Sequence, residues 1–183
     1  EALLIHLEQA YARIGAKPEI DLCPHADASA LDVLAGRGWR VSAFSGTFAL
    51  VLRGDEAAAT GEVEMRPVED EAAFIAMSAD GFAGPRPREL LEALARSALR
   101  RDDVRTYVAW ADGKPVGTCA LAVMGKDGHL FLASTLPEAR GRGVQAAMIS
   151  QRIADAARAG VEVLTITVRP GNVSARNTER AGF

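Results

Sequence analysis

The chain is predicted to form an α/β fold of the α+β type: a mixed, mostly antiparallel central sheet flanked by helices, preceded by a smaller α/β extension. Three observations carry this expectation. Two Asp-Gly steps, Asp112-Gly113 and Asp127-Gly128, separate three apolar runs, the pattern of an antiparallel meander. A glycine step, Arg140-Gly141-Arg142-Gly143, opens a long helical pattern directly after the meander. Amphipathic helical segments stand both before and after these strands.

The elements follow in order. Residues 1–53 read as helix, strand, helix and two short strands. Ala2–Ile14 places Leu3, Leu7, Ala10 and Ile14 on one helical face and stops at Gly15. Ile20–Leu22 is a short strand candidate. Asp27 caps a helix carrying Leu31, Val33 and Leu34 that ends at Gly36 or Gly38. Val41–Phe44 and Phe48–Leu52 alternate around a Ser45-Gly46 turn. Residues 54–61 are small and polar, a linker. The main domain, 62–183, begins with a strand over Val63–Arg66 and a helix over Glu69–Met77. A Gly- and Pro-rich loop, Ser78–Arg88, leads to a second helix, Glu89–Leu99. The meander strands are Arg105–Trp110, Val116–Met124 and His129–Ala133. A helix from Val144 to Ala159 ends at Gly160. Val161–Val168, apolar on both faces, reads as a central buried strand. A Pro170-Gly171-Asn172 turn precedes a last helix.

With 183 residues the chain has room for one full domain and a substantial extra piece. A net charge of −3 implies no basic surface for nucleic acid. No apolar run is long enough to span a bilayer, so no membrane partner is expected. With no leader visible and two widely separated cysteines, Cys23 and Cys119, a cytoplasmic protein with reduced thiols is expected. The histidines have no metal-ligand spacing, and no metal is expected.

The glycine step is the informative motif. Glycines let the backbone turn tightly and leave room for a ligand, and the first turn of the following helix carries unpaired N–H groups that favour phosphate. Arg140 and Arg142 add positive charge. The same four residues also suit a helix entered through a glycine turn with two solvated arginines, so the flanks decide. A Walker loop is rejected for want of Gly-Lys-Ser/Thr. A dinucleotide fingerprint is formally matched by Gly141, Gly143 and Ala146, but the preceding meander is antiparallel and Glu162 lies at the wrong end of the next strand.

The segment from Ser134 through Pro137 and the Arg140–Gly143 step to Val144 resembles the coenzyme A loop of the GNAT (N-acetyltransferase) superfamily. The order of elements from Glu62 to Phe183 and the ending Glu179-Arg-Ala-Gly182-Phe183 are similar to that family too. The resemblance implies an N-acetyltransferase that moves an acetyl group from acetyl-CoA to an amine, by direct attack in a ternary complex. It implies that the backbone at Ser134, Thr135 and Leu136 holds the pantetheine arm. Pyrophosphate would rest on the amides of Arg140, Gly141, Arg142, Gly143, Val144 and Gln145. Leu136 would supply a backbone N–H to the thioester carbonyl, and Ser174 and Asn177 would line the cofactor from the last helix.

Two departures stand out. Gln145 falls where the family has Gly or Ala; the amides can still serve if its side chain points away. Thr178 falls where many members place the tyrosine that protonates the leaving thiolate. Either Thr178 donates through water, or solvent does that work, or the chain binds without efficient catalysis. Glu162, His129 and Glu138 are candidate bases by residue type alone, and Cys119 reads as a packed apolar residue rather than a nucleophile. The acceptor would be a small-molecule amine or an exposed amino group; Arg86 and Arg88 suit an anionic one, or are ordinary surface arginines. The alternatives are a non-catalytic acyl-CoA-binding sensor module and, less favoured, a dinucleotide-binding module. Residues 1–53 resemble a degenerate half of a second such domain, with Arg37-Gly38-Trp39 echoing the closing corner, or form an unrelated α/β extension. The family continues beyond the equivalent of Phe183, so a sheet edge needs cover from the strands near 41–52 or from a second copy in a homodimer.

Overall fold

The computed structural model describes residues 2–13, 15, 17–82 and 87–183. The chain forms two compact units, Glu1–Ala43 and Phe44–Phe183.

The first unit holds two helices, α1 (Ala2–Arg13) and α2 (Ala28–Gly36). Asp27 caps α2 by accepting from the Ser29 amide at 2.9 Å. Glu8 of α1 accepts from Trp39 Nε1 at 2.8 Å and pairs with Arg37, so the Arg37-Gly38-Trp39 corner is tied to α1. These bonds hold the Glu8 carboxyl below its ordinary range, Arg37 contributing most. Leu3, Leu7, Ala10, Ile20, Val33 and Leu34 line an open apolar groove of about 650 Å³. Ile20–Leu22 and Val41–Phe44, expected as strands, are irregular. A short apolar run is a strand only if it finds a ladder partner, and neither run has one among the described residues.

The second unit is built on one six-stranded sheet in the order β1-β6-β5-β4-β3-β2. Its strands are β1 (Gly46–Val51), β2 (Glu64–Pro67), β3 (Val104–Ala111), β4 (Lys114–Met124), β5 (Asp127–Thr135) and β6 (Val163–Val168). Every neighbouring pair is antiparallel except β5 and β6, which run parallel around the crossover helix α5 (Val144–Arg158). β1 does not turn back on Val41–Phe44 as its Ser45-Gly46 flank suggested. It pairs with β6 from Gly46↔Val168 to Val51↔Val163 and covers the edge that the sequence left open. The polar segment 54–61 then runs back past α5, where the Ala59 amide donates to Ser150 Oγ at 2.7 Å.

Side chains alternate between two layers. Tyr107, Cys119, Leu121 and Leu130 pack toward α5 and α6 (Val173–Arg180). Val108, Ala120 and Phe131 pack with α3 (Glu71–Gly81) and α4 (Arg88–Leu99) on the other face. α3 extends to Gly81, so the first part of the expected Ser78–Arg88 loop is helical; Arg86 lies outside the described residues. β6 is buried on one face only, with Leu164, Ile166 and Val168 inside and Thr167 exposed, against the expectation of two apolar faces.

The two hairpins differ. Ala111 pairs with Lys114 across Asp112 and Gly113, whose φ values of 52° and 70° make the expected two-residue turn. In the next hairpin Met124 pairs with Asp127, so the turn is Gly125-Lys126 and not Asp127-Gly128. Gly128 is already in the strand, and a Cβ there would stand 2.8 Å from Leu164 Cδ1. Close packing against β6, not turn geometry, requires that glycine.

Candidate active site

The site begins at an irregularity in β5. Thr118 pairs with Ser134 and Ala120 with Phe131, so Cys119 faces two residues, Leu132 and Ala133. This is a β-bulge, and Leu132 takes φ 52° within it. The extra residue shifts the phase of the strand. Phe131 and Leu132 both face α3 and α4, after which Ala133 faces α5. A bulge bends its strand. The parallel pairing of β5 with β6 stops at Leu130↔Ile166, although β5 continues to Thr135 and β6 to Val168. The last residues of β5 therefore leave a gap on the β6 side.

Which backbone groups face the gap follows from strand geometry. The Leu136 N–H, expected to meet the thioester carbonyl, donates instead to Val116 O at 3.0 Å. Backbone groups alternate sides along a strand, so those of Thr135 point toward the gap. The Ser134 side chain is also engaged. Its Oγ lies 2.9 Å from Thr118 Oγ1, which lies 2.9 Å from Ser78 Oγ in a buried hydroxyl chain. By the same alternation the Ser134 backbone faces its ladder partner Thr118, so neither its side chain nor its backbone is turned to the gap.

Beyond β5 a short 3-10 turn, Pro137–Ala139, leads into the glycine step. Gly141 and Gly143 both have φ 77°, the left-handed region that glycine enters without strain. Gly143 caps α5 without any side-chain bond, and its carbonyl takes the first bond of the helix, from the Ala147 amide at 3.0 Å. The amides of Val144, Gln145 and Ala146 thus precede the intrahelical ladder and point out of the N-terminus. The arginines are directed outward. Arg142 pairs with Asp112 of the β3–β4 turn at 2.5 Å, and Arg140 donates to Gly81 O at 3.3 Å. They flank the loop and leave its concave side to the amides.

Gln145 turns away from the loop. Its Nε2 donates to Ser174 Oγ at 2.8 Å, and its Oε1 accepts from Asn177 Nδ2 at 2.7 Å. The residue that stood against the family pattern is a clamp between α5 and α6. Ser174 and Asn177, expected to meet the cofactor, are tied to that clamp through the Ser174 Oγ and the Asn177 Nδ2. Asn172, the last residue of the Pro170-Gly171-Asn172 turn, caps α6 by accepting from the Ala175 amide at 2.7 Å. Thr178 is fully buried and its Oγ1 has no partner among the described residues. The hydroxyl expected to protonate a thiolate is not presented to the cleft.

The candidate bases are not brought together. Glu162 precedes β6 and pairs with Lys126 at 2.6 Å, at the end of the parallel pair opposite the loop. Four paired residues of strand, Val163 to Ile166, or roughly 15 Å, separate it from the start of the gap. His129 lies nearer the gap, one residue before the last β5–β6 pair, but its Nδ1 is 2.9 Å from Thr165 Oγ1 and it is half-buried; burial, then Arg152, lower its pKa. Glu138, exposed in the 3-10 turn, is the one of the three beside the loop. Cys119 is fully buried and burial pushes its thiol up to about 11, which suits packing and not nucleophilic attack. Arg88 is held by Asp80 at 2.5 Å and Glu92 at 2.9 Å. β5-α5-β6 is a parallel crossover, yet its second strand ends in Thr167-Val168-Arg169, without the acid that a ribose-binding site uses.

This arrangement, a bulged strand parting from its parallel neighbour in front of an open helix N-terminus, defines a class. The sequence profile of the acetyltransferase (GNAT) domain matches residues 46–169, and the chain belongs to that family. Among solved structures it is similar to a GCN5-related N-acetyltransferase from Sphaerobacter thermophilus (20% identity, TM-score 0.68), covering 99% of this chain and 63% of that one. A conserved protein of unknown function from Staphylococcus epidermidis ATCC 12228 is 15% identical (TM-score 0.61), over 91% of this chain and 65% of that one. A predicted acetyltransferase from Clostridium acetobutylicum, solved with acetyl-CoA, is 14% identical (TM-score 0.52), over 66% of this chain and 89% of that one. At these identities the likeness is one of fold. The chain spans less than two thirds of the length of the first two proteins. No curated protein matches the sequence. No described helix is long and apolar enough to cross a membrane.

Proposed function

We propose that the chain is an acetyl-CoA-dependent N-acetyltransferase whose cofactor lies along the gap between β5 and β6. The observation that carries this reading is the continuity of two open backbone surfaces, the β6-facing edge at Thr135 and the unladdered amides at the start of α5. The first suits the amide groups of a pantetheine arm, and the second suits a pyrophosphate. Acetyl-CoA supplies the acetyl group as a thioester. Attack by a neutral amine forms the amide C–N bond, the C–S bond breaks, and the thiol leaves with one proton.

In this reading the chain's own groups mainly hold and orient. The Thr135 backbone fixes the arm, and its N–H is the free donor next to the thioester, in place of the Leu136 N–H. Holding both reactants in line supplies much of the acceleration. The amine gives its proton to water, with Glu138 the acid nearest the loop, and the thiolate takes one from solvent because Thr178 is buried. The acceptor is a small-molecule amine or an exposed amino group.

A second reading, an acyl-CoA sensor that binds without turnover, is favoured by the burial of Thr178. Thiol release from acetyl-CoA across a panel of amines separates the two. Release that requires both protein and amine supports the transferase. Tight binding with no release above background for any amine would favour the sensor, and preference for NAD over acetyl-CoA would overturn both.

A further inference from the structure

The bulge in β5 has an unusual support. Arg152, on α5, is fully buried. Its Nε donates to Met148 O of its own helix at 2.8 Å. Its Nη1 reaches two strands, donating to Ala120 O on β4 at 2.9 Å and to Phe131 O on β5 at 3.3 Å. Ala120 and Phe131 face one another as the ladder pair that adjoins the bulge. Phe131 also follows directly on Leu130, whose pairing with Ile166 is the last between β5 and β6. One guanidinium thus ties the carbonyls of both strands at the place where the sheet opens.

Stability alone does not account for an arginine here. No carboxylate lies within ion-pair distance of it among the described residues, and its Nη2 has no partner there. A buried cation without a counter-ion is a net cost, and an apolar side chain of similar volume commonly does as well or better. Burial lowers its pKa, an effect that the neighbouring Cys119 and Tyr107 oppose, and a guanidinium stays charged even so. What it provides is a set of donors for carbonyls at an irregular point of the ladder. Expelling the extra residue would move Ala133 and Ser134 to opposite faces of the sheet, since the side-chain period of a strand is two. It would also straighten β5 alongside β6.

We propose that Arg152 is a positioning residue for acetyl transfer: by holding Ala120 and Phe131 it fixes the bulge and keeps the β5–β6 cleft open. Its consequence for catalysis rests on the acetyl-CoA reading given above; its consequence for the cleft does not. Hydrogen exchange of the cofactor-free chain, followed by calorimetric titration with acetyl-CoA, tests both, using Arg152→Met and Arg152→Lys. In Arg152→Met the amides of Ala133 and Thr135 are expected to gain about tenfold protection as the gap closes. Acetyl-CoA affinity is expected to fall about 30-fold, roughly 2 kcal/mol. Arg152→Lys, which keeps a donor, should restore most of both. If Arg152→Met does not fold, Arg152→Gln takes its place with the same expectations. Wild-type exchange and affinity in a folded Met or Gln variant would overturn the assignment. Failure of the wild-type chain to bind acetyl-CoA, with exchange altered as described, would sink the functional reading and leave the role of Arg152 at the bulge standing.

Discussion

The N-terminal turn of α5 and the inner face of α6 are joined through Gln145, yet they depart from their family in different ways. At α5 the unexpected residue is Gln145, and the amides around it stay open because its side chain turns to Ser174 and Asn177. At α6 the unexpected residue is Thr178, and its hydroxyl is buried without a partner. A phosphate site made of backbone survives a change of side chain. A proton donor made of one side chain does not. In the proposed reading the cofactor-holding half of the site keeps its open backbone groups, and the acid-supplying half is left to solvent.

The largest effect should come from striking the backbone-built half directly. Gly143→Glu forces a side chain into φ 77° and sets a carboxylate where the anion would lie. Acetyl-CoA affinity should fall at least about 100-fold, roughly 3 kcal/mol, read by calorimetry. An unchanged affinity would break the comparison at its stronger side.

The next effect concerns pH. The backbone-built half holds no buried ionisable group, whereas the core beneath the meander holds the Cys119 thiol, pushed up to about 11 by burial. For an acid whose folded pKa is raised, the unfolded chain ionises first. Stability is therefore full below the unfolded value and falls as pH rises from there to the folded value. Denaturant melts should lose about 2–3 kcal/mol between about pH 9 and 11. Cys119→Ala should flatten that part of the profile.

Gln145→Ala sharpens the comparison from the other direction. It removes the clamp and leaves the amides untouched. A stability loss of about 1–2 kcal/mol is expected, with faster hydrogen exchange in α6 and only a few-fold change in acetyl-CoA affinity. A loss of affinity as large as that of Gly143→Glu would show that the side chain, not the backbone, makes the site. The smallest effect belongs to Thr178→Val. Replacing an unpartnered buried hydroxyl by a methyl should stabilise the chain by about 1 kcal/mol in thermal melts. Turnover with any accepted amine should be unchanged; a fall of about tenfold or more would restore Thr178 as the acid.

What could be read from the sequence follows the same division. The Asp112-Gly113 turn, the glycine step and the α5 helix are local patterns, and their positions were predictable to within a residue or two. The Gly125-Lys126 turn was misplaced because Asp127-Gly128 carries the stronger turn signal, and the reason for Gly128 lies in Leu164, far along the chain. The pairing of β1 with β6 joins residues more than a hundred positions apart, which no local pattern encodes. Nothing in Leu132 announces a bulge, since leucine is rarely asked for φ 52°. Arg152 looked like any arginine on an amphipathic helix. Its burial and its two carbonyl partners emerge only once β4 and β5 are laid over α5.

The central claim is that one ligand runs from the β5 edge to the start of α5. Hydrogen exchange across the whole chain, with and without saturating acetyl-CoA, tests it most directly. The account predicts slowed exchange at Thr135 and at Gly141 to Ala146, with the amides of residues 2–43 unaffected. Binding that leaves those amides unchanged, or protects a different surface, would contradict it.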